Sequence, residues 1–321
     1  MAESLDEKIK LELGQAHSIA IVSHIRPDGD AVGSLLGLGQ ALINAGKQVQ
    51  MVLQDGVAEK YRYLKGSELV KRALTNAYDY LIVVDCSDIQ RTGTVLSDHR
   101  QPDLVVDHHK TNLNFGRLNL VEEGAVATSS ILAEHLPKWG LVVEKDVASS
   151  LATGIIADTI GFRTSNMSSQ ALRVTADLMD KGVDLPTIYH QTLLSHSMAE
   201  MRYWGQGLRG LSLEQGILWT SLTLDDRIKA GYPENDDADL VNLLSSISQI
   251  LIAVLFVEQE DNRVKVSWRS VEGIDVSGIA FEFGGGGHAA AAGADIPGSL
   301  KEVQDKVLQR TRELINQTIL H

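Results

Sequence analysis

Short apolar runs and helical-period segments alternate along the first half of this chain. Ser18 to Val22 is a β-branched apolar run, and Val32, Leu35, Leu36, Leu38, Leu42 and Ile43 recur at helical spacing between Ala31 and Ala45, where Gly46 closes the helix. Val49 to Leu53, Tyr80 to Val84 and Leu104 to Val106 read as further strands, and Thr128 to Trp139 and Asp146 to Ile156 as helices. Short apolar strands alternating with helices predict an α/β fold whose mostly parallel sheet carries helices on both faces. From Ser168 the pattern turns helical, over Gln170 to Lys181, Pro186 to Leu194 and Ala199 to Leu208. Gly216 to Leu224, Ile250 to Glu258 and Val264 to Trp268 then read as strands of a smaller α+β unit, with a turn at Asn262. Val276 to Phe283 looks helical, and Leu300 to Ile319 is a closing amphipathic helix. Gly284 to Gly287 and Ala289 to Ala292 are the low-complexity tracts.

The 321 residues suggest two domains, and 44% apolar content is enough for sizeable cores. No apolar run approaches the ~20 residues that span a bilayer, and the start of the chain lacks a basic-then-apolar signal pattern. A lone cysteine, Cys86, excludes an intrachain disulfide framework and fits a reducing compartment, so a cytoplasmic protein with no membrane association is expected. The net charge of −13 argues against a grip on long duplex DNA. Short nucleotides held by a few arginines and a metal stay compatible with it.

Candidate chemistry gathers just past the strand ends. Ser23-His24-Ile25-Arg26-Pro27-Asp28-Gly29-Asp30 follows the first strand, Asp85 the third and Asp107-His108-His109 the fourth. In open parallel sheets ligands bind at the carboxyl ends of the strands, so these segments should meet. One such aspartate alone is usually a turn or cap residue. Several together would be expensive to cluster without a cation. A mixed Asp/His set suits Mn²⁺, and less tightly Mg²⁺, rather than structural zinc. Cys86 reads as a small core residue.

His24-x3-Asp28-x-Asp30, Asp85, Asp107-His108-His109 and Asp158 within Gly154-Ile155-Ile156-Ala157-Asp158-Thr159 resemble, in order, the four motifs of the DHH phosphoesterase superfamily, over roughly residues 18–165. The resemblance implies two Mn²⁺ ions. His24 and Asp28 would hold the first, Asp30, His108 and Asp158 the second, and Asp85 would bridge them. Asp107 would support the site, and His109 would face the scissile phosphate. Ile160 stands where relatives often have glycine, which loosens the placement of Arg163.

Gly284-Gly285-Gly286-Gly287-His288 matches neither a P-loop nor a dinucleotide fingerprint, and such a tract is often only a packing point. With Lys265 to Ser270 and Gly278-Ile279-Ala280, it resembles the DHH-associated C-terminal domain of oligoribonuclease and pAp-phosphatase relatives, over about residues 217–317. That implies a substrate-binding role for Arg269, Gly285, Gly286, Gly287 and His288, which would hold the nucleotide's phosphate or base end. Expected boundaries are 1–185 for the catalytic domain, 186–215 for a helical connector and 216–321 for the substrate-binding domain. Glu234 to Asp239 reads as a solvated loop, Tyr203 and Trp204 as interdomain packing, and Ser129 and Ser130 as helix caps.

The expected activity is hydrolysis of phosphoric esters, with short oligoribonucleotides and 3′-phosphoadenosine 5′-phosphate (pAp) as substrates and the direction of attack left open. The rivals are a linear or cyclic dinucleotide phosphodiesterase, a family II inorganic pyrophosphatase, a RecJ-type exonuclease, and a non-catalytic nucleotide-binding protein. The resemblance also allows a homodimer.

Overall fold

A computed structural model describes residues 4–97, 101–271 and 273–319. The chain divides into two compact units, Met1–Ser195 and His196–His321.

The first unit runs α1 (Leu5–Gln15), β1 (Ser18–Val22), α2 (Gly29–Asn44), β2 (Gln48–Val52), β3 (Tyr80–Val84), β4 (Leu104–Asp107), β5 (Leu118–Val121), α3 (Thr128–His135), α4 (Lys145–Asp158), α5 (Ser169–Asp180) and α6 (Leu185–Tyr189), then a π turn over His190–Leu194. Its sheet has the order β2-β1-β3-β4-β5 and every pairing is parallel. Strand order therefore reverses between β1 and β3, which places a switch point where their carboxyl ends lie side by side. Alternate residues build two cores, as the period of two in a strand requires. Ile19, Ile21, Ile82 and Val106 face a core shared with α1 to α5. Ala20, Val22, Leu81, Val83 and Val105 face a smaller one. Among the described residues that second core is completed by Leu74, Tyr78, Ile89, Val95, Leu96 and Phe115, from loops and a 3-10 turn rather than α-helices.

Helix α2 is buried from Gly29 to Leu42 because it lies against both the sheet and α4. Gly33 permits that approach, since a Cβ there would stand 2.5 Å from the Ser150 carbonyl oxygen. Two elements of this unit lie outside the sequence expectations. α1 is capped by Ser4 and Glu7 in a capping box, and β5 shows no clean alternation of burial.

The second unit contains α7 (Met198–Arg209), β6 (Ser212–Glu214), β7 (Ile217–Leu222), α8 (Leu224–Ala230), α9 (Leu240–Leu244), β8 (Ile252–Gln259), β9 (Arg263–Ser270), α10 (Ser277–Glu282), β10 (Gly286–His288), β11 (Ala291–Pro297) and α11 (Leu300–Ile319). Its mixed sheet has the order β10-β11-β9-β8-β7-β6, with β7 and β8 the parallel pair. The alanine tract that reads as low complexity runs into β11, paired along its length with β9. Tyr203 is fully buried and stacks on Tyr232 at 5.0 Å, and Trp204 donates to the Ala238 carbonyl at 2.8 Å. Both pack within the second unit. Among the described residues no helix is long and apolar enough to cross a membrane.

Candidate metal centre

Four loops and helix ends of the first unit bring the acidic and histidine residues together. His24 follows β1, Asp85 follows β3, Asp107 ends β4, and His108 and His109 come next. Asp28 caps α2, its Oδ1 accepting from the main-chain N–H groups of Asp30 and Ala31 at 3.0 Å each. Asp158 is the last residue of α4.

Asp85 sits at the middle. Its backbone adopts a left-handed conformation, φ 52°, held by an N–H bond to the Val106 carbonyl at 2.9 Å. Such a conformation is rare for a residue with a side chain, and strain of this kind is concentrated at functional sites. Its Oδ2 lies 3.5 Å from His24 Nε2, and its Oδ1 lies 3.7 Å from His108 Nε2. The two oxygens of one carboxylate thus face different imidazoles. Thr128 Oγ1 donates to Oδ1 at 3.0 Å and fixes the plane of the group.

On one side, His24 Nε2 is 3.9 Å from Asp28 Oδ1. On the other, His108 Nε2 is 3.9 Å from Asp30 Oδ2 and 3.6 Å from Asp158 Oδ2. His24, Asp28 and Asp85 form one group of ligand atoms within 4.8 Å of one another, and Asp30, Asp85 and His108 form a second. These separations are too long for good hydrogen bonds. They suit two donors on a common ion, which stand about 3–4 Å apart when each bond is about 2.1 Å. The tautomers agree with that use. His24 Nδ1 donates to the Ile25 carbonyl at 2.8 Å and His108 Nδ1 to the Ala125 carbonyl at 3.3 Å, so Nε2 of each ring is turned to the carboxylates. The donor set fits a pair of divalent cations.

Asp30 is buried and is held by the start of α3. The N–H groups of Thr128 and Ser129 donate to its Oδ2 and Oδ1 at 2.6 and 2.9 Å, and Ser34 Oγ donates to Oδ1 at 3.2 Å. This corrects the capping expectation for Ser129 and Ser130. The α3 N-cap is Ala127, without a side-chain bond, and the helix terminus is satisfied by the Asp30 carboxylate from another helix. Asp107 is fully buried; its Oδ1 accepts from His109 Nδ1 at 2.7 Å and its Oδ2 from Asn112 Nδ2 at 2.6 Å.

The protein's own charges at the site are in conflict. Burial, and then the Asp85 charge, push the Asp30 carboxyl up to about 7. Burial, with the charges of Asp30, Asp28 and Asp85, raises Asp158 as well. Asp85 stays below the usual carboxylate range because contact with His24 and the charges of His109, His24 and His108 outweigh its burial. His108 is pushed up to about 9, since burial is overcome by Asp158, Asp85 and Asp30. A divalent cation would relieve all of these together. Cys86 does not join them. It is buried, burial pushes its thiol up to about 12, and Sγ donates to the Asp88 carbonyl at 3.0 Å.

Arg163 follows three consecutive left-handed residues, Ile160 (φ 47°), Gly161 (φ 69°) and Phe162 (φ 70°), and is exposed. The loop is pinned by buried Thr159, whose carbonyl accepts from the Arg163 N–H at 2.9 Å and whose Oγ1 accepts from the Phe162 N–H at 3.0 Å.

In the second unit, Arg269 Nε donates to Asn242 Oδ1 at 3.0 Å and its Nη1 to the Trp268 carbonyl at 2.9 Å. Gly286 to His288 forms β10, so part of the glycine tract is strand. Gly285 and Gly287 serve close packing on β11, where an added Cβ would lie 2.1 Å from the Gly293 oxygen and 2.5 Å from the Ala291 oxygen. A Cβ on Gly286 would meet open space. The acidic loop is not simply solvated: Asp237 is buried, accepting from Ser267 Oγ at 2.9 Å and pairing with Lys265 Nζ at 3.4 Å.

Thr128, Ser34, Ser129 and Asn112 support the centre but were not expected from the sequence. Their partners lie far along the chain or in an irregular loop, where residue spacing carries no signal.

The family description "DHH family, N-terminal domain" matches residues 18–155, and "DHHA1 domain" matches residues 222–317. The bifunctional oligoribonuclease and PAP phosphatase NrnA of Thermus thermophilus is 33% identical, over 92% of this chain and 89% of its own length. The crystal structure of an exopolyphosphatase-related protein from Bacteroides fragilis superposes with a TM-score of 0.86 at 25% identity, covering 99% of this chain and 98% of that one. RecJ of Thermus thermophilus in complex with Mn²⁺ shares the fold at a TM-score of 0.55 and 13% identity, covering all of this chain and 55% of that one.

Proposed function

Because this chain belongs to the DHH family, and is with its relatives a phosphoric ester hydrolase, we propose that it is a Mn²⁺-dependent enzyme degrading short oligoribonucleotides to mononucleotides and converting pAp to AMP. The observation that supports this most is Asp85, whose two oxygens face His24 and His108 at 3.5 and 3.7 Å. His24, Asp28 and Asp85 would hold one ion, and Asp30, Asp85, His108 and Asp158 the other. Bound there, the ions would lower the pKa of a water nucleophile and stabilise charge on phosphoryl oxygens. The Asp/His donor set favours Mn²⁺ over Mg²⁺, and the Mn²⁺-bound RecJ neighbour supports the same choice.

The protein groups have separate tasks. Asp107 takes the Nδ1–H of His109 and so fixes the orientation of the ring, which we assign to contact with a phosphate oxygen. Asn112 holds the far oxygen of Asp107 and keeps that carboxylate from turning. Arg269, His288 and the glycines from Gly285 to Gly287 are our candidates for recognising the nucleotide, with Arg163 as a further phosphate contact. Guanidinium suits phosphate through its fork of donors. We place the enzyme in the cytoplasm, where the buried thiol of Cys86 would stay reduced.

The test is a Mn²⁺-dependent product assay offering pAp, linear diadenylate, RNA and DNA ladders of graded length, and pyrophosphate. Release of AMP from pAp and shortening of the smallest RNAs is the expected result. A preference for pyrophosphate would refute the proposal, and a preference for the diadenylate would move it to a dinucleotide phosphodiesterase.

A further inference from the structure

An arginine stands on the turn that follows Asp85 and is tied to the loop carrying His24, an element that the motifs do not include. Arg91 lies in the 3-10 turn Ile89–Thr92, which follows β3 after Asp85, Cys86, Ser87 and Asp88. Its carbonyl accepts from the Ile25 N–H at 2.7 Å, so this turn is tied by main chain to the loop that carries His24 and Asp28. The Asp88 carboxylate caps the turn by accepting from the Gln90 N–H at 3.0 Å. The half-buried Arg91 side chain makes a long bond to Ser87 Oγ, 3.5 Å, and pairs with no carboxylate among the described residues.

This placement is unfavourable for a site that only binds cations. A fixed positive charge on a turn of the metal site weakens cation binding, and burying it in part without a counter-ion adds a desolvation cost. Neither penalty is offset by a carboxylate among the described residues. Both are offset when an anion arrives at the ions, because guanidinium then gains charge-assisted hydrogen bonds to phosphate oxygens. The turn also sits at the carboxyl end of β3, at the switch point of the sheet, where a ligand of this fold is bound.

We propose that Arg91 is a phosphate-binding residue of the active site, holding a non-bridging oxygen of the phosphoryl group at the His24 side of the metal centre. The inference rests on the proposed phosphohydrolase reading and adds a substrate contact supplied by the catalytic unit itself. It also separates two bindings that an ordinary structural role would tie together. Removing the guanidinium weakens binding of the anion but not of the cation.

The experiment measures both affinities by titration calorimetry for wild type, Arg91→Met and Arg91→Lys. Mn²⁺ is titrated into metal-free protein, then AMP into Mn²⁺-loaded protein, and kcat and KM for pAp are recorded alongside. The bond from Ile25 is accepted by the Arg91 main chain and survives both substitutions. In Arg91→Met, AMP binding should weaken by about 10- to 100-fold, the loss expected for charge-assisted bonds to one phosphate. Mn²⁺ binding should be unchanged or tighter. Arg91→Lys should recover part of the AMP affinity, since it keeps the charge but not the fork. Unchanged AMP affinity, or a parallel loss of Mn²⁺ affinity, overturns the proposal. If wild type turns over pAp and Arg91→Met leaves AMP binding intact, the inference fails and the function stands. If wild type prefers pyrophosphate while Arg91→Met still loses AMP, the function fails and the inference stands.

Discussion

Replacing Gly154 by alanine sets two effects of opposite sign against each other, and the structure indicates which prevails. Gly154 is a helical residue inside α4, where alanine is favoured by about 1 kcal/mol on propensity alone. Its missing side chain, however, is the space in which the metal centre is assembled. A Cβ there would stand 2.0 Å from Ser129 Oγ, 2.7 Å from Ser129 Cβ and 2.6 Å from Asp30 Oδ1. Ordinary contact begins near 3.4 Å, so the hydroxyl would have to retreat by about 1.4 Å and the carboxylate oxygen by about 0.8 Å. Rotating the serine does not relieve its own Cβ, and Asp30 is anchored by two main-chain N–H groups of α3 and by Ser34. Overpacking of this kind costs roughly 1–3 kcal/mol, and the geometry argues for the upper end. The net expectation is a loss of about 2 kcal/mol, or about 4–8 °C in Tm for a unit of this size. Asp30 would leave the position from which it faces His108. Titration calorimetry with Mn²⁺ should therefore show the wild type binding two ions and Gly154→Ala losing or greatly weakening one. A variant with wild-type Tm and unchanged stoichiometry would refute the reasoning.

The other expectations are more direct. Asp85→Asn should abolish Mn²⁺-dependent turnover of pAp, because one carboxylate faces both imidazoles, and near-wild-type kcat would refute the assignment. Asn112→Ala should lower kcat about 10- to 100-fold with little change in Mn²⁺ stoichiometry, since it frees Asp107 to turn away from His109; an unchanged kcat counts against that orienting role. Ile160→Gly should leave the protein as stable or more stable by about 1 kcal/mol in urea unfolding, because a β-branched residue at φ 47° is strained; a clear loss of stability would mean that its packing outweighs the strain. His135 bridges Asp6 at 2.6 Å and Glu122 at 3.0 Å, which tie α1 and the β5 loop to α3. Burial opposes its protonation, but Glu122 and Asp6 prevail and raise its pKa, while both carboxylates are held below their usual range. The imidazolium contribution is thus full below about pH 6.5 and is lost as pH rises through the elevated value of the folded ring. The carboxylate contribution is present above about pH 4 and is lost as pH falls. The stability gap between wild type and His135→Gln should be widest near pH 5–6 and narrow toward pH 9, and a gap that does not change with pH would exclude this account.

Much of the first unit was legible because its signals are local. Strand-length apolar runs at Ser18, Tyr80 and Leu104 reappear as β1, β3 and β4, and each candidate motif follows one of them directly. β5 and the β10–β11 hairpin were not legible. The alternation in Leu118–Val121 is weak, and the pairing of Ala291–Pro297 with β9 depends on a partner some thirty residues earlier in the chain. The acidic loop misled for the same reason. Asp237 is drawn into the core by Ser267 and Lys265, which no local pattern announces.

By itself, then, the sequence determined which residues could carry the chemistry, since His24, Asp28, Asp30, Asp85, Asp107, His108 and His109 follow strand ends by local pattern and the family resemblance adds Asp158. The tertiary structure decided how each is held and what it faces. Only there do the two oxygens of Asp85 turn to different imidazoles, the terminus of α3 close on Asp30, Asn112 lock Asp107, and the turn of Arg91 join the His24 loop through the Ile25 N–H. The division has a physical cause. Strand and helix formation follow the periodicity of neighbouring residues, whereas the orientation of a buried charge is set by donors and charges that the fold brings from tens of residues away.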